Sequence, residues 1–355
     1  MPVTRILILG ASYGSLLATK LALAGHSVHL VCLPAEADLI NQDGLRVRMP
    51  VKSLGATVEV HSKSLPGRVC ASGPEPVDPA RFDLVCLAMQ EPQYRLAGVR
   101  ELLDRVGRAG VPCMSIMNMP PLPYLARIPG LDVAALRECY ADPTVWASFN
   151  PGNMTLCSPD PQAFRPPGEP VNVLQVSLPT NFKVAAFPSA KATAMLKGLE
   201  DDIAAARFTH DGQPLDLPVK LKLHSSIFVP MAKWSMLLTG NYRCVQPGAP
   251  RAIRDAVHSD IEQARAIYAW VSGVCRTLGA ANADLVPFEK YAAAADGLAA
   301  PSSAARALHA GAQYIERVDR LVQRVARQKG ISTELIDAQV ALVDQKLEVN
   351  RKVAA

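Results

Sequence analysis

Two groups of residues in this chain have types and spacing suited to chemistry. The first is Gly10-Ala11-Ser12-Tyr13-Gly14-Ser15, a run dominated by small residues between the apolar Ile6–Leu9 and the helically spaced Leu16–Ala24. A strand, a tight turn and a helix leave unpaired backbone N–H groups at the helix start, where a pyrophosphate can bind. Gly10 and Gly14 are separated by Ala11, Ser12 and Tyr13, which is looser than the usual G-x-G-x-x-G. The small side chains still permit close backbone approach, and the flanking strands supply the context the motif requires. An α/β turn without a ligand is the competing reading. The second group centres on Lys233, set in the apolar stretch Val229–Leu238. Such a lysine either snorkels to solvent or faces a cleft where burial makes it a useful proton donor. Asn241 follows about two helical turns later and would lie near the same face. Asn118, after a buried strand and before Met119-Pro120-Pro121, reads either as a turn residue or as a ligand contact.

Composition bounds what this chemistry serves. The chain has 355 residues, 49% of them hydrophobic and 19% charged, enough for two domains with separate cores. The net charge of +5 comes from scattered basic residues, so no nucleic-acid partner is expected. Apolar runs are too short to span a bilayer, and no basic-then-apolar leader precedes the first strand, so no membrane partner is expected. The eight cysteines are dispersed, without C-x-x-C or histidine at metal spacing. They read as buried thiols of a cytoplasmic protein, and no metal is expected. No nucleophilic triad can be argued from spacing.

The elements that must position these residues alternate in the first half. Val28–Cys32, 45–49, 57–60, Phe82–Met89 and Val111–Met117 read as strands, and 94–107 as a helix. Such alternation implies a doubly wound parallel sheet, with Gly10–Ser15, Gln90 and Asn118 on the rim at the strands' carboxyl ends. Val171–Val176 and Phe182–Phe187 look like further strands and 189–206 like a helix. From about 222, helical patterns run through 226–240, 251–278, 284–296, 301–328 and 332–350. We assign 1–220 to a dinucleotide-binding Rossmann-type domain and 221–355 to an all-helical domain for substrate and dimerisation. The helices at 251–278 and 301–328 would bury against each other or against a second subunit in a homodimer.

In these residues the chain resembles the ketopantoate reductase family. That family opens with a similar strand, glycine turn and helix ending in Gly-His, here Gly25-His26. Its Asn-Gly-Met-Gly turn is matched by Asn118-Met119-Pro120-Pro121 at the Asn only. Its W-x-K-L…N…N-P pattern keeps the Lys at Lys233 and the last Asn at Asn241. Near its end, Ser302-Ser303, Gly311, Ile315-Glu316 and Gly330-Ile331 follow the family outline, with Glu316 shifted by one residue. The resemblance implies a 6-phosphogluconate-dehydrogenase-like fold. It also implies an oxidoreductase in which NADP, or alternatively NAD, serves reduction of a 2-oxo acid or related carbonyl compound. Lys233 would be the general acid. Asn118, Asn241, Ser303 and Glu316 would hold the substrate, with Asn118 also orienting the nicotinamide. Cofactor contacts would come from Gly10, Ala11, Ser12, Tyr13, Gly14, Ser15, Leu33, Gln90 and Asn118.

The departures from the family are specific. The loop from Gly10 to Gly14 is one residue shorter than in these relatives. A family Lys falls on Gln90, a family Asn on Leu237, and the family's phosphate-reading Arg on Leu33, followed by Pro34. Arg46 or Arg48 is then the nearest candidate for the cofactor's 2′-phosphate. Loss of polar groups points to a divergent paralogue with a less polar ketone or imine substrate. Two alternatives stand beside the reductase: an opine- or imine-type dehydrogenase acting on C–N bonds, and a non-catalytic NAD(P)-binding protein.

Overall fold

The computed structural model describes residues 2–354. Strand β1 (Arg5–Leu9) is fully shielded from Ile6 to Leu9, as a central parallel strand covered on both faces must be. Helix α1 (Ala11–Leu23), β2 (Ser27–Val31) and α2 (Pro34–Asp43) follow, then β3 (Arg46–Val51), β4 (Ala56–His61) and β5 (Arg68–Ser72). Next come β6 (Leu84–Leu87), α3 (Val99–Ala109), β7 (Cys113–Ile116), a single turn α4 (Leu122–Leu125) and β8 (Met154–Ser158). Strands β9 (Gln162–Phe164), β10 (Val173–Leu178) and β11 (Phe182–Ala185) precede α5 (Ala190–Ala205), the hairpin β12 (Phe208–His210) and β13 (Gln213–Leu215), and β14 (Leu221–His224).

The main sheet has the order β14-β11-β8-β7-β6-β1-β2-β5. Every neighbouring pair in it is parallel except β8 with β11. Leu9 is in register with Val31 of β2 and with Leu87 of β6. The carboxyl ends of these strands therefore share one rim. The expected strands at 45–49 and 57–60 exist, but they leave the main sheet. They form β3 and β4 of a second sheet, ordered β4-β3-β10-β9. Side chains of both sheets and of α1 and α5 join one apolar core. That arrangement buries α1 on nearly all sides, Thr19 and Lys20 included.

The chain divides into two compact units. One comprises residues up to Met89, Gln93–Tyr124 and Thr144–Ser225; the other comprises Gln90–Pro92, Leu125–Pro143 and Ser226 onward. The regular elements of the second unit beyond Ser226 are helical: α6 (Lys233–Met236), α7 (Ile253–His258), α8 (Ile261–Thr277), α9 (Phe288–Ala295), α10 (Ser303–His309), α11 (Val318–Gln328) and α12 (Glu334–Ala354).

Two of the expected long helices are broken. The span 251–278 divides because Asp260 caps α8, its carboxylate accepting the Gln263 N–H at 3.0 Å. The span 301–328 divides because α10 ends in a Schellman motif. The Ala312 N–H reaches the Ala307 carbonyl at 2.9 Å and the Gly311 N–H reaches Leu308 at 3.1 Å. Gly311 has φ 88°, a backbone state that glycine adopts without steric cost. Among the described residues, no helix is long and apolar enough to cross a membrane, and all eight cysteines are free thiols.

Candidate functional site

The turn after β1 is built by backbone. Gly10 has φ 104°, and a Cβ there would stand 2.6 Å from Met89 Cγ and 2.8 Å from the Ala88 carbonyl oxygen. A Cβ on Gly14 would lie 2.7 Å from Ile8 Cγ2, so this glycine lets α1 settle onto β1. No side chain caps α1 and its first turn carries no acid. The N–H groups of Ala11, Ser12 and Tyr13 thus have no intrahelical acceptor and sit at the positive end of the helix. This cradle fits an anionic pyrophosphate.

The side chains of the turn take different directions. Ser12 is exposed, while Ala11 and Ser15 are buried. The Ser15 hydroxyl turns back and donates to the Ala11 carbonyl. The Tyr13 hydroxyl donates to the Pro161 carbonyl at 2.6 Å, and its ring meets Phe182 edge-on. Burial pushes the Tyr13 phenol well above its ordinary pKa, so it stays a neutral donor. Leu33, directly after β2, is 75% exposed, and the half-buried Asn118 follows β7. Arg46 and Arg48 lie in ion pairs. Both pair with Glu59, at 2.8 and 2.7 Å, and Arg48 also pairs with Glu169.

In the second unit the helix bearing Lys233 is irregular. Lys233 is half-buried at the start of α6, which passes into a π-helical turn at Leu237–Asn241. Eight residues of α-helix overshoot two turns by about 80°; a π turn takes about one residue more, so Asn241 returns closer to the face of Lys233. The widened turn is held by side chains. The Tyr291 hydroxyl donates to the Met236 carbonyl at 3.0 Å, Gln339 to Leu238 at 3.2 Å, and the Cys244 thiol to Gly240 at 3.4 Å. Gly240 makes this possible, since a Cβ there would stand 2.0 Å from the Tyr291 hydroxyl oxygen.

Three of the expected substrate positions converge on the end of this helix. The buried Ser302 donates to the Asn241 carbonyl at 2.7 Å while capping α10, of which the exposed Ser303 is the first residue. The Tyr242 hydroxyl donates to the Glu316 carbonyl and accepts the Val318 N–H at 3.0 Å. Burial raises this phenol well above its ordinary range. The buried Glu316 carboxylate accepts the Glu91 N–H at 3.3 Å, and the Glu91 carboxylate accepts the Ala141 N–H at 3.0 Å. Beneath them Arg317 grips Asp319 with two bonds of 3.0 and 3.1 Å, Asp319 being 1% exposed.

Gln90, exposed and adjacent to Glu91, drew attention in the sequence; Glu91 did not. Tyr242, Tyr291 and Gly240 carried no sequence signal either. Their roles are tertiary contacts, and nothing in their local spacing marks them.

Fold and sites together define an α/β protein of the doubly wound, Rossmann type that continues into helices. No protein-family model matches the chain, and no curated protein does. Solved structures do match over nearly the whole length. A 2-dehydropantoate 2-reductase from Methylococcus capsulatus is 18% identical, with TM-score 0.62 and coverage of 98% of this chain and 97% of that one. D-mandelate dehydrogenase with NADH and anilino(oxo)acetate is 15% identical, with TM-score 0.63 and coverage of 98% and 99%. A dimeric ketopantoate reductase from Staphylococcus aureus is 11% identical, with TM-score 0.60 and coverage of 98% and 99%. The fold is therefore that of the ketopantoate reductases, as the order of motifs implied.

Proposed function

We propose that the protein is an NAD(P)H-dependent oxidoreductase that reduces the ketone of a 2-oxo acid. The observation that carries this reading is the uncapped start of α1 behind Gly10, on a chain whose fold follows ketopantoate reductases from end to end. The cofactor's pyrophosphate would lie against the N–H groups of Ala11, Ser12 and Tyr13, with Gln90 and Asn118 toward the nicotinamide. When bound, a reduced nicotinamide would supply hydride to the carbonyl carbon. Negative charge then develops on the carbonyl oxygen, and a positioned proton donor neutralises it. Lys233 fills that role, its ammonium held on a helix fixed by Tyr291, Gln339 and Ser235, whose hydroxyl lies 3.0 Å from that of Ser272. Asn241 and Ser303 would orient the substrate's oxygens, and Glu316 would accept from a substrate hydroxyl or ammonium.

Leu237 stands where the family has a polar residue, which favours a substrate with a less polar side chain than ketopantoate. Domains at 1–220 and 221–355 would divide cofactor and substrate binding, with a homodimer as the assembly. The direct test is fluorescence titration with NADPH and NADH, followed by a panel of 2-oxo acids monitored by NAD(P)H loss. Oxidation of NAD(P)H by an oxo acid alone is the expected result. Oxidation that requires an added amine would make the protein a C–N dehydrogenase instead. Binding without turnover across the panel would leave a dinucleotide-binding protein.

A further inference from the structure

Rossmann-type sites read the adenosine ribose beyond the second strand, with an acid for the diol of NAD or an arginine for the 2′-phosphate of NADP. Here that position is Leu33, which does neither. A single segment nevertheless spans this corner. At one end Pro161 accepts the Tyr13 hydroxyl, from the first turn of α1, at 2.6 Å. At the other end Arg165 pairs with Glu36, in the first turn of α2. The residues between them form β9, an edge strand of the small sheet.

The two members of the Arg165–Glu36 pair are unequal. Glu36 is 9% exposed, whereas Arg165 is 33% exposed. Solvent, and any ligand arriving from it, meets the cation. One guanidinium nitrogen is taken by Glu36, and the planar fork offers further donors in a geometry that suits phosphate. Glu36 thus acts as a buttress that fixes Arg165 over the start of α2, while Leu33 offers no competing acid.

We propose that Arg165, supplied from the β9 segment rather than from the end of β2, reads the 2′-phosphate and sets a preference for NADPH over NADH. The inference rests on the dinucleotide reading of the α1 turn. Glu36 is a positioning residue for Arg165.

The test compares four probes on the full chain: NADPH, NADH, 2′,5′-ADP and 5′-ADP, with affinities from fluorescence titration and calorimetry. The wild type should bind NADPH more tightly than NADH, and 2′,5′-ADP more tightly than 5′-ADP. Arg165→Gln should weaken both 2′-phosphorylated probes by about 10- to 100-fold and leave the other two within about twofold. Arg165→Lys should fall between, because a point charge replaces the fork. Removing Arg165 alone leaves Glu36 buried without its cation, so Glu36→Gln/Arg165→Gln is measured alongside and should show the same selective loss. Equal weakening of all four probes, or none, overturns the assignment of Arg165 while leaving dinucleotide binding intact. A wild type that binds neither NADPH nor NADH overturns both readings.

Discussion

The turn at Gly10–Ser15 and the helix at Lys233–Cys244 are built by opposite means. The first is made of backbone: N–H groups at a helix start, exposed because Gly10 removes a Cβ that would strike Met89 and Ala88. The second is made of side chains on a helix whose regular ladder is interrupted at Leu237–Asn241 and re-bonded by Tyr291, Gln339 and Cys244. A backbone site needs only local geometry and burial. A side-chain site needs partners from distant parts of the chain. The first should therefore respond to steric change at a glycine, and the second to loss of remote hydrogen bonds.

The widest break in this comparison is at Lys233. Lys233→Met should lower kcat on an identified 2-oxo acid by about 10²- to 10⁴-fold, the usual weight of a general acid, with NADPH affinity unchanged. A variant with wild-type turnover would remove Lys233 from the mechanism. Gly10→Ala should act on the other site. It should cost about 1–3 kcal/mol of stability, read by denaturant unfolding, and weaken NADPH and NADH together. If it weakened neither, the backbone account of that turn would be wrong.

Gly240→Ala should cost about 1–3 kcal/mol by driving Tyr291 out of place and should lower turnover without altering nucleotide affinity. Tyr291→Phe, which deletes only the hydroxyl, should cost about 1 kcal/mol and reproduce a smaller part of the same loss. Were Tyr291→Phe to leave turnover untouched, the irregular turn would be packing and nothing more.

The smallest expected effect on activity is at Lys20 of α1, where the change is read in stability against pH. Lys20 is 1% exposed and donates to the Leu217 and Pro218 carbonyls at 3.1 and 3.0 Å. Burial, with Lys220 nearby, brings its pKa down to about 7. Between that value and the ordinary lysine range, the unfolded chain binds the proton more tightly than the folded one. Stability attributable to Lys20 should therefore rise with pH from about 7 to about 10, by up to about 1.4 kcal/mol per unit. Lys20→Met should flatten that rise in urea titrations at stepped pH. An unaltered slope would show that Lys20 in the folded chain keeps an ordinary lysine pKa and stays charged over this range.

How much of this was legible in the sequence differs between the same two regions. Strands β1 and β6 read as continuous apolar runs, and β2 and β7 nearly so apart from Ser27, His29 and Ser115, because parallel strands covered on both faces have little polar side to show. The strands at 45–49 and 57–60 were legible too, but not their sheet. Arg46 and Val47 pair with Val173 and Leu174 of β10, far along the chain, and no local pattern records such a partner. The same pairing sets Arg46 and Arg48 on the second sheet, where Glu59 and Glu169 meet them. The span 301–328 looked continuous because its helical spacing persists across Gly311, and only the capping bonds end α10 there.

By itself the sequence determined the strand–turn–helix unit at the start, the positions of Lys233, Asn118 and Asn241, and the change from α/β to helical character near 222. These follow from local periodicity and from glycine placed where a side chain cannot go. Tertiary structure alone decided that Tyr291 and Gly240 shape the helix carrying Lys233, that Glu91 meets Glu316, and that Arg165 reaches Glu36 beyond β2. Each of those is a contact between residues far apart in sequence, fixed by packing of elements whose surfaces the chain order does not reveal.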